Sequence, residues 1–365
     1  MTVLQILIIS PLYPSDERPD RGTFVAAQAK ILLDMGHSVR VISPTWWLPR
    51  PFNFIRADLK NLNLVKMREN RDGVEVYRRR MLGLPNHPLP RLTEWSVSRH
   101  GKGLESELAD WEPDLIINHT LWPSLAVTVP LAEKYDTSVV CWVHGWDEHS
   151  APIRVHKRIS SLLSRLSLMR RPVNLVIVSE SQRQWATGIS PRGTLISHIP
   201  TPTIIGESVE SDDIEQSFPS EKHLRLLFPG SPSRKVKDYR LFESVVAELR
   251  ARGLIIETSV LDQISPSSVK ISILKSDIVL LTSRREASPL VPREAICLGR
   301  RVTAVPVGDL SEYIPPEALA SSRRIADIAD SVIAAQSLPI SAWSHPDIYS
   351  ESFHRNRLNQ LLCLD

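Results

Sequence analysis

The stretch from Asp277 to Ile314, DIVLLTSRREASPLVPREAICLGRRVTAVPVGDLSEYI, has the pattern of one unit of a parallel α/β sheet. It opens with an apolar run, Ile278–Leu281, which is short enough for a buried strand. Pro289 suits a first helical turn, where its missing N–H is tolerated, and Gly299 suits a left-handed C-terminal cap. A second apolar run, Val302–Val307, completes the unit. The stretch therefore predicts strand, turn, helix and strand within an α/β fold.

Two carboxylates flank the predicted helix start, with Glu286 on the turn and Glu294 on the helix. A helix N-terminus between them favours anions, because its first N–H groups and its dipole point outward. The unit thus offers an anion pocket with a carboxylate on each side. Such a pocket suits a ligand with a diphosphate in the middle and a polyol at each end, as in a nucleotide-sugar.

The segment E-A-S-P-L-V-P-R-E-A-I-C-L-G resembles the E-x7-E motif of retaining glycosyltransferase family 4. The flanking T-S-R-R-E and V-G-D-L-S-E are also similar to that family. The resemblance implies the GT-B architecture: two Rossmann-like domains facing across a cleft, with the C-terminal helix packing back on the N-terminal domain. The flanked motif argues against another enzyme of the same fold, such as a nucleotide-sugar epimerase.

The chain has 365 residues, and this length predicts two domains. We expect residues 1–202 to form an N-terminal Rossmann-like acceptor domain and 223–345 a C-terminal Rossmann-like nucleotide-sugar domain. The intervening stretch, 203–222, is polar and acidic and is typical of a linker. Residues 346–365 are expected to be the helix that returns to the N-terminal domain.

Composition indicates a globular protein with a sizeable core and gives no reason to expect a nucleic-acid partner, since the net charge is only +3. Three cysteines without a C-x-x-C pair indicate a reducing compartment. The first apolar run reads as a strand rather than a signal peptide, and no run is long enough to cross a bilayer. We expect a cytoplasmic protein, either free or attached to the inner face of the membrane.

Two positions in the N-terminal half stand out. Gly22 ends the loop after the first predicted strand, and the resemblance brings this loop close to the donor phosphate and sugar; an ordinary turn glycine is the alternative. His144 follows the predicted strand Ser138–Val143, at the end of the sheet where α/β proteins bind ligands. The resemblance puts it near the donor sugar and the acceptor. His119 and His149 are expected to be loop or core histidines.

The turn P-G-S-P-S-R-K-V-K, residues 229–237, offers cations at a predicted helix start, a combination that suits a diphosphate. Family members often carry an arginine where this chain has Ser231 and a lysine a few residues later. Lys237 matches that lysine best, with Lys235 as the alternative, and Arg234 could replace the missing charge.

By this resemblance, Glu286 contacts hydroxyls of the donor sugar and Glu294 those of the ribose, and the leaving phosphate helps to take the acceptor proton on the same face. The predicted catalytic residues are Glu286, His144 and Lys237. The predicted donor-binding residues are Gly22, Arg234, Lys237, Ser288, Leu290, Val291 and Glu294. No metal is implied, since no D-x-D cluster is suitably placed, and no cofactor is expected. A UDP-sugar is favoured over a GDP-sugar, and the acceptor is expected to be a glycan or lipid-linked.

Three departures from the family pattern support an alternative, a degenerate relative that binds a nucleotide-sugar or a partner enzyme without turnover. They are Ser231, Thr201 and Ala287, the last of which follows Glu286 where the family commonly has glycine. If that position needs a positive φ, alanine there is strained by about 1 kcal/mol or more.

The segment from Pro152 to Arg171 is basic, has no acidic residue, and has an apolar helical face. Such a helix can lie on an anionic membrane. A domain helix with a solvated basic face explains the same pattern. The stretch Thr45 to Lys60 mixes aromatic with basic residues, which suits a membrane interface, sugar stacking or a loop folded on its own domain.

Overall fold

The computed structural model describes residues 2–47, 64–82, 91–96, 108, 111–145, 151–170, 173–204, 223–262 and 264–362. The chain divides into two compact units, Met1–His198 and Ile199–Asp365. Each contains its own sheet and its own cluster of buried apolar side chains.

The first unit is built on an eight-stranded sheet in the order β3-β4-β2-β1-β5-β6-β7-β8. Its strands are β1 Gln5–Ile9, β2 Ser38–Trp47, β3 Arg68–Arg71, β4 Val74–Leu82, β5 Leu115–His119, β6 Ser138–Val143, β7 Val173–Ile177 and β8 Leu195–His198. Neighbouring strands pair in parallel except β3 with β4. The central strands are mostly apolar and buried, as a sheet covered on both faces requires.

The helices of this unit are α1 Thr23–Asp34, α2 Leu125–Tyr135, α3 Ile153–Ser167 and α4 Arg183–Ile189, and residues 91–96 are also helical. The apolar face of α3 is inside the core, since Ile159, Leu162, Leu163 and Leu166 are each at most 1% exposed. Arg158 pairs with Glu94, and Arg165 pairs with Glu133 at 2.7 Å. The helix is therefore a domain helix, and its apolar stripe is not available to a bilayer.

The second unit has a parallel four-stranded sheet in the order β10-β9-β11-β12. Its strands are β9 His223–Phe228, β10 Ile255–Val260, β11 Ile278–Leu281 and β12 Arg301–Ala304. Its helices are α5 Tyr239–Ala251, α6 Pro266–Leu274, α7 Leu290–Cys297, α8 Ile325–Ser337 and α9 Glu351–Leu362. A βα pattern repeated along this half brings the carboxyl ends of β9 and β11 side by side.

The predicted α/β class with two parallel-sheet domains is confirmed. Residues 205–222, most of the predicted linker, lie outside the described residues, as do His149 and most of the aromatic stretch. The closing helix α9 groups with the second unit by its contacts, and His354 Nδ1 lies 3.3 Å from the Pro200 carbonyl oxygen. Its packing on the first domain stays a prediction. Among the described residues, no helix combines the length and apolar character needed to cross a bilayer.

Candidate functional site

Two turns of the second unit meet where β9 and β11 end. Lys237 on the turn after β9 extends its Nζ to within 2.7 Å of Glu286 Oε1 on the turn after β11. Both side chains are only 14% exposed, so the pair is largely shielded from water. Of the two candidate lysines, Lys237 contacts Glu286, whereas Lys235 is exposed. The structure thus joins two of the three predicted catalytic residues through an ion pair.

Further contacts fix these turns to each other. Thr282 Oγ1 donates to the carbonyl oxygens of Lys237 and Asp238 at 3.1 Å each. The Asp238 carboxylate accepts from Arg284 Nε at 3.0 Å and from Arg323 Nη2 at 2.7 Å. Arg323 also donates to the carbonyl oxygens of Ser283 and Thr282. Sequence reasoning missed Asp238 and Arg323 as positioning groups, since neither belongs to a motif and Arg323 is remote in sequence.

The turn after Glu286 has ordinary backbone geometry. Among the described residues, positive φ outside glycine is confined to Asp72, Thr120, Asp136 and Asp238. Ala287 is therefore not strained, and the cost expected for alanine at a positive φ does not arise at this position. The glycine that this turn needs is Gly308, with φ 65°, because a Cβ there would lie 2.5 Å from the Ala287 carbonyl oxygen.

Helix α7 begins at Leu290, with Pro289 in an extended conformation as its N-cap. No side chain caps this end, so the N–H groups of Leu290 and Val291 are the first helical donors. Glu294 lies one turn further along α7 and is half-buried. Desolvation raises the pKa of its carboxyl to about 7, although the nearby Arg293 charge acts in the opposite direction. Glu294 can therefore offer either a carboxylate or a carboxylic acid to a hydroxyl ligand near neutral pH.

Behind α7 lies a buried polar cluster. Arg293 is fully buried, and its guanidinium carbon sits 4.2 Å from the centre of the Tyr349 ring. No nitrogen of that guanidinium has a hydrogen-bond partner among the residues that the structure describes. Asp309 accepts from the hydroxyls of Tyr313 at 3.2 Å and Tyr349 at 3.1 Å, and burial raises the pKa of its carboxyl. This cluster joins α7 to the V-G-D loop, residues 307–309, and to the C-terminal segment that carries Tyr349.

The first unit holds the other predicted residues. Gly22 has φ 71°, and a Cβ there would collide with the Leu12 carbonyl, so the backbone requires glycine whether or not a ligand approaches it. Two residues later, the Phe24 ring lies 4.3 Å from the ring of His144. His144 follows β6, and its Nε2 is 2.6 Å from Nδ1 of the buried His119 at the end of β5. The sequence predicts that His119 is a loop or core histidine, and the structure shows it buried and also in contact with His144.

Among the other predicted donor-binding residues, Ser288 is half-buried beside the start of α7 and Arg234 is exposed on its turn. Within the described part of the chain, no group of three or more His, Cys, Asp or Glu side chains is arranged to hold a metal ion. The predicted residues therefore form two sets: Lys237, Glu286 and the start of α7 in the second unit, and Gly22 and His144 in the first.

Comparisons with known proteins give matches for the first unit and for the fold of the whole chain. Residues 22–200 match the model of the glycosyl transferase 4-like domain. The Bacillus subtilis (strain 168) protein TuaC, named for a glycosyltransferase role in teichuronic acid biosynthesis, is 23% identical over 339 residues, covering 84% of this chain and 82% of TuaC.

Two solved structures match along almost the whole chain. Sucrose-phosphate synthase from Thermosynechococcus elongatus is 13% identical, with a TM-score of 0.65 over 98% of both chains. The catalytic domain of starch synthase IV from Arabidopsis thaliana is 12% identical, with a TM-score of 0.62 over 99% of both chains. Residues 22–200 are therefore a glycosyl transferase 4-like domain, and the chain has the GT-B fold of these solved structures.

Proposed function

We propose that this protein is a retaining glycosyltransferase that moves a sugar from a nucleoside diphosphate, UDP in preference to GDP, to a glycan or lipid-linked acceptor in polysaccharide biosynthesis. The observation that carries the proposal is the shielded Lys237–Glu286 pair beside the open N-terminus of α7. A cation and oriented N–H groups stabilise the charge that develops on a leaving diphosphate. The polysaccharide context is supported by the name of TuaC.

In the proposed reaction, Lys237 and the N–H groups of Leu290 and Val291 bind the diphosphate, with Arg234 as a further cation. Glu286 accepts hydrogen bonds from hydroxyls of the donor sugar, and Glu294 from those of the ribose. When donor binds, Lys237 exchanges part of its contact with Glu286 for a phosphate oxygen. The leaving phosphate then takes the acceptor proton on the face from which it departs, which retains the anomeric configuration.

The test is sugar transfer, or slow hydrolysis, from a panel of UDP- and GDP-sugars, with anomeric configuration read by NMR. We expect Glu286→Gln to lose transfer while UDP affinity is retained. Glu317→Gln is the matched control, since Glu317 is an exposed acid of the same unit. Binding of nucleotide-sugar without turnover by the parent would instead support the degenerate relative.

We also propose that transfer needs no metal ion. Activity that disappears in EDTA and returns with a divalent cation would refute this part of the proposal.

We also propose that the protein attaches to the surface of an anionic membrane without inserting α3 into the bilayer. The support is electrostatic: Arg154 and Lys157 are exposed on α3, between the exposed Ile153 and Leu168 at its two ends. We expect the protein to sediment with anionic vesicles at low salt and not with neutral ones. Binding that is unchanged in a variant carrying Arg154→Glu and Lys157→Glu would contradict this attachment.

A further inference from the structure

The helix that carries Glu294 also carries a buried cation that the proposed reaction does not use. Arg293 is 0% exposed, and its guanidinium carbon lies 4.2 Å from the centre of the Tyr349 ring. Within the described part of the chain, none of the three guanidinium nitrogens has a hydrogen-bond partner. A cation buried in this way costs stability, because it gives up water without gaining hydrogen bonds. Packing alone does not account for it, since an apolar side chain of similar size would fill the space at lower cost.

The polar groups around Arg293 do not depend on it for their hydrogen bonds. Asp309 accepts from the hydroxyls of Tyr313 at 3.2 Å and of Tyr349 at 3.1 Å. The Tyr349 hydroxyl is also 2.8 Å from a carboxylate oxygen of Glu312. An apolar side chain at position 293 would leave all these contacts in place. The property that Arg293 adds to the cluster is therefore its charge.

The charge that Arg293 balances is that of Asp309. The Asp309 side chain is buried, and burial raises the pKa of its carboxyl, while the Arg293 charge acts in the opposite direction and favours the carboxylate. His345 does not supply this positive charge, because burial lowers the pKa of its imidazole below the ordinary 6.5. Arg293 is therefore the cation that offsets a buried carboxylate in this cluster.

Both charges lie beside the groups proposed to bind the donor diphosphate. Arg293 comes three residues, less than one helical turn, after Leu290, the first residue of α7. Asp309 directly follows Gly308, which packs so closely on the turn after β11 that a Cβ would lie 2.5 Å from the Ala287 carbonyl oxygen. A carboxylate at that place repels a diphosphate unless a cation offsets it.

We propose that Arg293 promotes binding of the donor diphosphate at the start of α7 by offsetting the buried charge of Asp309. This role rests on the proposed function, because it concerns the diphosphate of that donor. It needs no contact between Arg293 and the donor, since a charge in the protein interior acts beyond hydrogen-bond distance. The effect depends on the negative charge of the ligand, which distinguishes it from a purely structural role.

The test compares the binding of UDP, UMP and uridine to the full chain by calorimetry at pH 8, above the pKa of about 7 of Glu294. Arg293→Met replaces the cation with an apolar chain. We expect it to weaken UDP binding about 10-fold, the scale for one unit charge that the protein partly screens. The loss should be smaller for UMP and absent for uridine, which carries no phosphate. Arg293→Lys keeps the charge and should bind UDP nearly as tightly as the parent.

Two further variants separate charge from position. Arg293→Met combined with Asp309→Asn removes both charges and keeps an acceptor for the tyrosine hydroxyls, so it should recover most of the lost UDP affinity. Arg300→Met is the matched control. Arg300 is also buried, at 8% exposed, but it precedes β12 at the amino end of the parallel sheet, whereas Lys237 and Glu286 lie at the carboxyl end. Arg300→Met should bind UDP as the parent does.

An equal loss for UDP and uridine in Arg293→Met, or a further loss when Asp309→Asn is added, would show that Arg293 only holds α7 in place. Unchanged UDP affinity in Arg293→Met would refute the role as well and leave the proposed function standing. Urea unfolding tests the charge pair without a nucleotide: Asp309→Asn should destabilise the Arg293→Met variant less than it destabilises the parent. If that difference is found but the parent binds no nucleoside diphosphate, the proposed function fails instead.

Discussion

Lys237 forms an ion pair with Glu286, and in the proposed reaction it also binds the donor diphosphate. Removing its charge in Lys237→Met leaves a shielded carboxylate without its cation and a leaving group without charge stabilisation. We expect kcat/KM to fall about 100-fold or more, the range for losing one such group. Lys235→Met, an exposed lysine on the same turn, should change it little. Equal losses in the two variants would show that only the turn's total charge matters.

His119 is expected to act through His144 by fixing which ring nitrogen of His144 carries the proton, since one N–H and one bare nitrogen must share their 2.6 Å contact. His119→Ala should lower kcat about threefold to tenfold, the effect of one hydrogen bond. His119→Asn, whose amide can replace the lost Nδ1 contact, should recover part of that loss. The UDP dissociation constant should be unaffected in both. An equal loss in Asn and Ala variants would indicate a packing role instead.

Glu294 links stability to pH. Its folded pKa of about 7 lies above the ordinary 4.5, so the folded state holds the proton more tightly than the unfolded chain does. Its contribution is therefore greatest at low pH, declines as pH rises from 4.5 towards 7, and is constant above that. Urea unfolding of the parent and Glu294→Gln should show the variant more stable at pH 8 by on the order of 2 kcal/mol, with the difference smaller at pH 5. A difference independent of pH would contradict the assignment.

At the scale of elements, most strands and helices follow from periodicity because they are buried and apolar. Strand β3, Arg68–Arg71, does not, since RENR is polar and its edge position is decided by pairing with β4. The site follows the same rule. Local sequence patterns predict Glu286, Lys237 and the start of α7, because each lies within such a pattern. Arg323, which ties the two turns together from beyond the motif, could be found only from contacts between distant segments.

The V-G-D loop and the turn after Glu286 are in close contact, and Gly308 makes that contact possible. Gly299 is a built-in control: its φ of 67° is almost the same as the 65° of Gly308, but a Cβ at Gly299 meets nothing within 4 Å. Gly299→Ala should therefore cost only the left-handed strain, about 1 kcal/mol. Gly308→Ala adds a collision with the Ala287 carbonyl and should cost more. Because that collision moves the turn carrying Glu286, transfer should fall in Gly308→Ala and stay near normal in Gly299→Ala.

At the scale of the whole molecule, the separate apolar cores of Met1–His198 and Ile199–Asp365 predict that each unit unfolds with its own transition. All the residues proposed to bind the diphosphate and the ribose except Gly22 are in the second unit. A ligand that binds only the folded state stabilises it by about 2.7 kcal/mol at a hundredfold excess over its dissociation constant. UDP should therefore raise the temperature of the second unit's unfolding transition in calorimetry more than that of the first.

Each transition can be assigned to its unit with Leu163→Ala in the first core and Leu249→Ala in the second, since each substitution removes a buried side chain from one core only. If UDP raises only the transition that Leu163→Ala lowers, the nucleotide site is not where the Lys237–Glu286 pair places it.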